Sequence, residues 1–219
     1  MDILKAFVSW SGGKESSLAL YRAKREGVNI LFLLNMIAED GKYSRSHGIK
    51  ADLIKAQAEA MGIPIIQRAT NWENYEREFK DTVMSLRKEG INSGVFGDID
   101  LEQHRDWVER VCREIEIKAL LPLWGEEREN LLNEFINLGF KAFVCAVNPS
   151  FLDDRWLGRE IDFEFIRDLK NLGGVDLCGE KGEYHTFVYD GPIFKERVKF
   201  SLGKKLLKDR RWIIEIEKI

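Results

Sequence analysis

Apolar residues along this chain recur in two rhythms that alternate. Consecutive runs at 6–8, 28–36, 63–66, 93–96 and 117–121 match short strands buried on both faces of a sheet. Between them, apolar residues fall three and four apart. Leu18, Leu20, Tyr21 and Ala23 form one such stripe and Leu53, Ile54, Ala58 and Met61 the next. Phe79, Val83 and Leu86 follow, and then Trp107, Val108, Val111 and Ile115. The spacing predicts helices ending near Gly27 and over 49–61, 74–88 and 101–115, with Gly62 stopping the second. Strands alternating with helices of this length predict an α/β fold: a Rossmann-like open parallel sheet with helices on both faces.

Beyond residue 123 the rhythm changes. A helix at 128–138 and a strand at 142–147 can still extend the parallel sheet. A loop after Asn148-Pro149 leads to a helix at 163–172, and the remainder reads as strands at 184–189, 197–202 and 212–216. A soft boundary near 123 therefore divides a larger domain, 1–122, from a smaller α/β domain, 123–219.

Composition narrows the class. The formal net charge of −3, with both signs scattered, argues against a broad electrostatic grip on nucleic acid, and stable nucleic-acid binding is not expected. Arg210-Arg211 beside Trp212 is the densest basic cluster and reads as solvated surface. Residues 1–5 carry no basic stretch followed by a long apolar one, so a secretory leader is not expected. Apolar runs such as 30–34 and 142–147 fall well short of the roughly 20 residues a bilayer requires. A cytoplasmic protein with no membrane partner is the expectation. Cys112, Cys145 and Cys178 form no C-x-x-C pair and read as free, buried thiols.

The chemistry starts where the first strand ends. Ser11-Gly12-Gly13-Lys14-Glu15-Ser16 joins an apolar strand to an amphipathic helix. Glycines there let backbone approach a ligand closely, and successive amides at a helix start form an anion-binding nest. Ser11 and Ser16 add hydroxyls, and Lys14 adds a full positive charge suited to phosphate. The loop matches neither G-x-x-x-x-G-K-[ST] nor G-x-G-x-x-G, so Walker-type and dinucleotide sites are not expected. In open parallel sheets, ligands bind beyond the carboxyl ends of the strands. Segments 11–16, 37–47 and 97–100 all follow predicted strands and are expected to converge on one cleft.

Trp10-Ser11-Gly12-Gly13-Lys14-Glu15-Ser16 resembles the SGGKDS loop of the PP-loop ATP pyrophosphatases, and more narrowly that of the diphthine–ammonia ligase family. The family's second hallmark, G-E-x-G-E-aromatic followed by Thr, Asp and Pro-x-Phe, is matched by Gly179-Glu180-Lys181-Gly182-Glu183-Tyr184, Thr186, Asp190 and Pro192-Ile193-Phe194. Arg45-x-His47-Gly48, Gln57-Ala58, Gly62-Ile63-Pro64, Gly97-Asp98, Pro122-Leu123-Trp124 and Leu157-Gly158 extend the likeness over nearly the whole chain. The resemblance implies a PP-loop (HUP-type) ATP-binding domain at 1–122 and a substrate-binding domain at 123–219. It implies ATP contacts from Ser9, Ser11, Gly12, Gly13, Lys14, Glu15, Ser16, Met36, Gly97 and Asp98, with Mg²⁺ held by Glu15 and Asp98. Lys14, Glu180, Glu183 and His185 are the expected catalytic residues, and Arg45, His47, Thr186 and Asp190 the expected acceptor contacts. Two positions depart from the pattern. Glu15 stands where the family has Asp, and His185 where diphthamide-forming members carry Glu, so a sister group with another acceptor stays open.

Side-chain chemistry fits these assignments. Close carboxylates such as Glu180 and Glu183 can hold Mg²⁺ or orient an amine. His185 titrates near neutrality in water, and Arg45 can grip a carboxylate or phosphate bidentately. His104 reads as surface, Asp100 as a turn or helix cap, and Trp156 as packing. The expected reaction is attack of a carboxylate on the α-phosphorus of ATP, giving an acyl-adenylate and pyrophosphate, followed by amide formation with ammonia. Expected partners are ATP, ammonia and a carboxylate acceptor, for which the resemblance implies diphthine on elongation factor two; a homodimer is compatible. Adenylation of another metabolite or of tRNA, and a non-catalytic ATP- or AMP-sensing module, are the competing readings.

Overall fold

The computed structural model of the chain describes residues 3–45 and 47–219. Met1 and Asp2 at the start, and Ser46 between Arg45 and His47, lie outside the described residues. Five strands form a parallel sheet: β1 (Lys5–Ser9), β2 (Asn29–Ile37), β3 (Ile65–Ala69), β4 (Ser93–Val95) and β5 (Lys118–Leu120). Their order is β3-β2-β1-β4-β5. Helices α1 (Lys14–Arg25), α2 (Ala51–Met61), α3 (Tyr75–Arg87) and α4 (Glu102–Glu114) connect them. The predicted alternation is therefore the observed one, and Gly62 ends α2 in the left-handed conformation as expected.

β1 is the central strand, and its alternating side chains feed two cores. Ala6 and Val8 join a cluster with Leu18, Leu20, Leu53 and Ile54 of α1 and α2. Phe7 points the other way, into Phe79, Val83, Phe96 and Val111 beside α3 and α4. Strand order reverses between β1 and β4, which makes the space above their carboxyl ends the switch point where such sheets bind ligands.

The second half builds a different layer. Helices α5 (Arg128–Asn137) and α6 (Phe163–Leu172) accompany strands β6 (Lys141–Val147), β7 (Tyr184–Asp190), β8 (Phe200–Lys208) and β9 (Arg211–Lys218). These strands form an antiparallel sheet in the order β7-β6-β9-β8. The 142–147 run thus does not extend the parallel sheet. A continuous apolar run reports burial on both faces but not strand direction, and this one pairs with β7 and β9. The β8–β9 hairpin turns through Asp209 and Arg210, both with positive φ, the backbone a two-residue hairpin turn requires.

The two layers share a core. Phe143, Phe187, Val188 and Ile214 belong to the same buried cluster as Ala6, Val8 and Leu18. The join is also polar. Gln57 of α2, fully buried, donates through Nε2 to the carbonyls of Gly12 (2.9 Å) and Val188 (2.6 Å), and accepts from Trp10 Nε1 (3.0 Å). The Val188 amide in turn donates to the Gly12 carbonyl (3.0 Å). One buried amide side chain therefore fixes the 11–16 loop against both α2 and β7. Removing it would strand several buried polar groups, each worth about 1–3 kcal/mol.

Candidate active site

A cleft of about 760 Å³ opens above the β1–β4 switch point, between the parallel sheet and β7. That volume lies in the range of small-molecule sites, ~300–1,000 Å³. Ser11, Lys14, Glu15 and Ser16 form its floor, with Ser9, Gly97 and Asp98 beside them. Gly12 takes φ +84°, a conformation that favours glycine. Gly13 caps α1 with no side-chain cap. Of the first amides, Gly13 N–H donates to Ser11 Oγ (3.3 Å) and Lys14 N–H to Thr186 Oγ1 (3.1 Å). The Glu15 and Ser16 amides have no acceptor among the described residues, at the positive end of the helix. Gly97 lets this turn seat against β4: a Cβ there would lie 2.9 Å from the Glu15 carbonyl carbon and 3.0 Å from the Ser16 nitrogen.

Lys14 is buried, with Nζ 2.6 Å from the Cys178 carbonyl oxygen, 2.6 Å from Glu15 Oε1 and 4.5 Å from the Tyr184 ring centroid. Burial works against its charge, but the Glu15 carboxylate more than restores it, so its proton affinity is raised overall. Lys14 is a permanent cation under the cleft.

The opposite wall comes from the 176–186 segment. Glu180, Gly182, Tyr184, His185 and Thr186 line it. Burial, followed by the nearby Glu15 carboxylate, pushes the Glu180 carboxyl up to about 8, with Asp98 and Asp176 adding to the rise. His185 stacks on His47, ring centroids 4.5 Å apart, and its Nε2 is held by Arg211. Burial, then His47 and Arg211, holds His185 well below its ordinary value. Burial and Lys14 bring His47 down to about 4. Both imidazoles are neutral near pH 7. The expectation that His185 titrates near neutrality is thus corrected: Glu180 is the group of this wall whose titration falls there.

The predicted site separates into residues that converge and residues that do not. Ser9, Ser11, Lys14, Glu15, Ser16, Arg45, His47, Gly97, Asp98, Glu180, His185 and Thr186 all line the cleft, and Gly12 and Gly13 shape its floor from behind. Glu183 does not line it. Fully buried, it spends its carboxylate on the Asp176 and Lys181 amides (3.1 and 3.0 Å) and so closes its own loop. Met36 packs in the core on the α3 face, with its carbonyl taken by the Arg45 amide. Asp190, at the far end of β7, accepts from the Gly191 amide as a turn residue. Asp98 sits 3.1 Å from His104 Nδ1, so His104, exposed as expected, also borders the cleft. Asp100 is not a helix cap; its Oδ2 pairs with Arg128.

The cleft also has an aromatic wall, which the sequence pattern does not report. Trp72, Tyr75, Phe79, Phe96 and Trp107 line the α3–α4 side. Trp72 stacks on Tyr75, and Arg45 lies over the Trp72 ring at 4.2 Å. Trp107 belongs to a helical core stripe, and its other edge, half-buried, faces the cleft. The available signal is Trp72, three residues past the carboxyl end of β3 and so at the same end of the sheet as the loop.

A nest of helix-start amides and a buried lysine, at the switch point of an open parallel sheet, define a nucleotide-binding α/β protein of the PP-loop kind. The chain belongs to the diphthamide synthase family: the family model described as diphthamide synthase N-terminal domain matches residues 4–119, and that of the C-terminal domain matches 127–219. Among curated relatives, the diphthine–ammonia ligase of Mus musculus is 30% identical over 86% of this chain and 79% of that protein. That of Danio rerio is 31% identical over 86% of this chain and 83% of that protein. A solved structure from Methanocaldococcus jannaschii, described as a predicted subunit of tRNA methyltransferase, has 16% identity and a TM-score of 0.40 over 78% of this chain and 89% of that one. No helix among the described residues is long and apolar enough to cross a membrane.

Proposed function

We propose that this cleft carries out an ATP-dependent ligation of the diphthine–ammonia ligase type, with residues 1–122 holding ATP and residues 123–219 presenting the acceptor. The observation that carries the assignment of residues is the facing of two unlike walls across one cleft. One is a cationic, amide-rich floor at 11–16, and the other an acidic and imidazole-bearing wall at 180–186.

In this reading the Glu15 and Ser16 amides, the serine hydroxyls and Lys14 take the β- and γ-phosphates. The α-phosphorus is left facing Glu180 and the histidine pair. The aromatic wall of Trp72, Tyr75 and Trp107 offers flat apolar surface to the purine. The acceptor carboxylate attacks the α-phosphorus and pyrophosphate leaves, its developing charge stabilised by Lys14 and the loop amides. Ammonia then attacks the acyl carbon and AMP leaves. Glu180, as carboxylate, accepts the proton that nitrogen sheds.

No group of three or more His, Cys, Asp or Glu side chains able to hold a metal occurs among the described residues. Mg²⁺ needs no such cage, since it usually takes one or two carboxylates together with substrate phosphates. Glu15 and Asp98 supply hard oxygen donors beside the loop, and their negative charge, which adds to the effect of burial on Glu180, favours a cation there. Mg²⁺ bound by them would neutralise phosphate charge. The acceptor we propose is diphthine on elongation factor two. His185 and His47, both neutral, suit a substrate surface that is hydrogen-bonded rather than strongly charged.

The test is product analysis. Protein incubated with ATP, Mg²⁺, ammonium and a diphthine-bearing acceptor should release AMP and pyrophosphate in step with amide formation. ADP and phosphate as sole products would overturn the reading.

A further inference from the structure

The loop that carries Glu180 has no regular secondary structure between α6 and β7, yet its backbone is tied down by side chains. Asp176 is the centre of the arrangement. Its Oδ1 accepts from the Cys178 amide (2.8 Å) and the Glu180 amide (3.4 Å). Its Oδ2 makes an ion pair with Arg128 Nε at 2.7 Å, and the other arm of Arg128 makes one with Asp100 Oδ2 at 2.6 Å; the Nε contact is ionic and lacks the alignment of a hydrogen bond. Asp100 belongs to the segment after β4 that also supplies Gly97 and Asp98. The carbonyl of Arg128 accepts from Cys178 Sγ (3.5 Å). From the other end Glu183 holds the Asp176 and Lys181 amides, and the Tyr184 hydroxyl donates to the Leu177 carbonyl.

From this geometry we infer that Arg128 and Asp176 are positioning residues, which clamp the 176–183 loop to the parallel-sheet layer and so set where Glu180 stands over the cleft. The inference rests on the role given to Glu180 above. Arg128 is the first residue of α5, where the helix dipole disfavours a cation. The Asp176 side chain is only 8% exposed, so its charge is desolvated. Neither placement stabilises the chain by itself. Together they bridge Asp100, in one layer, to the loop of the other. A misplacement of about 1 Å at a reacting group can cost as much as ~100-fold in rate, so such a bridge has a functional consequence.

The experiment compares Arg128→Ala, Arg128→Lys and Asp176→Asn with the unaltered protein, alone and in a Glu180→Gln background. It measures AMP release with ammonium chloride and a diphthine-bearing acceptor, and checks folding by thermal melting. Arg128→Ala should lower kcat about 10- to 100-fold while the KM for ATP stays within about twofold. Arg128→Lys, which keeps one ionic contact, should recover part of the loss, and Asp176→Asn, which keeps the amide acceptor, should be milder than Arg128→Ala. In the Glu180→Gln background, Arg128→Ala should add less than about twofold, since both changes disable one unit. A full independent loss in that background, or a raised KM for ATP with unchanged kcat, overturns the clamp. Unimpaired turnover by Glu180→Gln alone overturns the role of Glu180, whereas an impaired Glu180→Gln beside an unimpaired Arg128→Ala overturns the clamp alone.

Discussion

On one side of the cleft, the six consecutive residues 11–16, running from just after β1 into the first turn of α1, supply amides, hydroxyls and a cation. On the other, partners far away in sequence hold the wall: Arg128 pairs with Asp176 of the loop that carries Glu180, Arg211 holds His185, and the Lys14 amide donates to Thr186. The first wall is made by local backbone geometry, which a strand, two glycines and a helix start nearly dictate. The second is made by side chains reaching across loops and layers, in the half of the chain where the sheet is antiparallel. A phosphate group asks only for convergent donors, and one turn can provide them. In the proposed reaction the acceptor and its amine ask for an acid of tuned proton affinity at a set distance, and burial beside several carboxylates is what would tune Glu180 to that task.

The largest expected effect tests the local wall. Lys14→Ala removes the buried cation of the cleft floor and takes from the Cys178 carbonyl and Glu15 their contacts with it. Turnover should fall by roughly 10²–10³-fold, the cost of losing one preorganised donor to a developing charge. Steady-state AMP release checks this, and a loss under tenfold would mean that the loop amides act without the lysine.

The same contrast governs what could be read from sequence. The parallel sheet, its helices and the 11–16 loop were legible because each depends on residues close in sequence: apolar periodicity, Gly62 at a helix end, glycines at a turn. Glu180 and Glu183 were not separable. They are three apart in one motif, and only the fold directs one into the cleft and the other onto the Asp176 and Lys181 amides. The 142–147 run showed burial without direction. Arg128, Asp100 and Asp176 were invisible as a unit, because they are joined only by tertiary structure. The periodicity of Trp107 places it in a core stripe, and nothing local reports that one edge of its ring meets a cavity.

The next effect tests the long-range wall. If Glu180 takes the proton from the amine, it must be a carboxylate, so kcat/KM should rise with pH through about 8, the value its burial and acidic neighbours set. Glu180→Gln should remove that limb and lower the plateau by about 10²-fold. Stability moves in the opposite direction. A carboxyl whose folded-state value lies above its unfolded one stabilises the fold at low pH and loses that contribution as pH rises through about 8. The melting temperature of Glu180→Gln should therefore gain on that of the unaltered protein across this window. With the concentration of free ammonia held constant across the pH series, a pH–rate limb that persists in the variant would assign the titration to another group of the protein.

The smallest effect lies at the seam, where His47 from the loop after β2 stacks on His185 of β7. His47 Nδ1 is buried and has no partner among the described residues, and Lys14 sits close enough to oppose a proton on the ring. Its folded-state value, about 4, lies below the ordinary histidine value. Protonation then favours the unfolded chain, and the stability present above roughly pH 6.5 is lost as pH falls toward 4, by about 1–3 kcal/mol. His47→Gln cannot take that proton. Urea titrations at pH 7 and pH 4.5 should show a smaller loss between the two for the variant than for the unaltered protein. The two walls would then be joined by a pair of rings whose packing depends on both remaining neutral. Equal losses would place the acid sensitivity in other groups, leaving the seam to Gln57 and the shared apolar core.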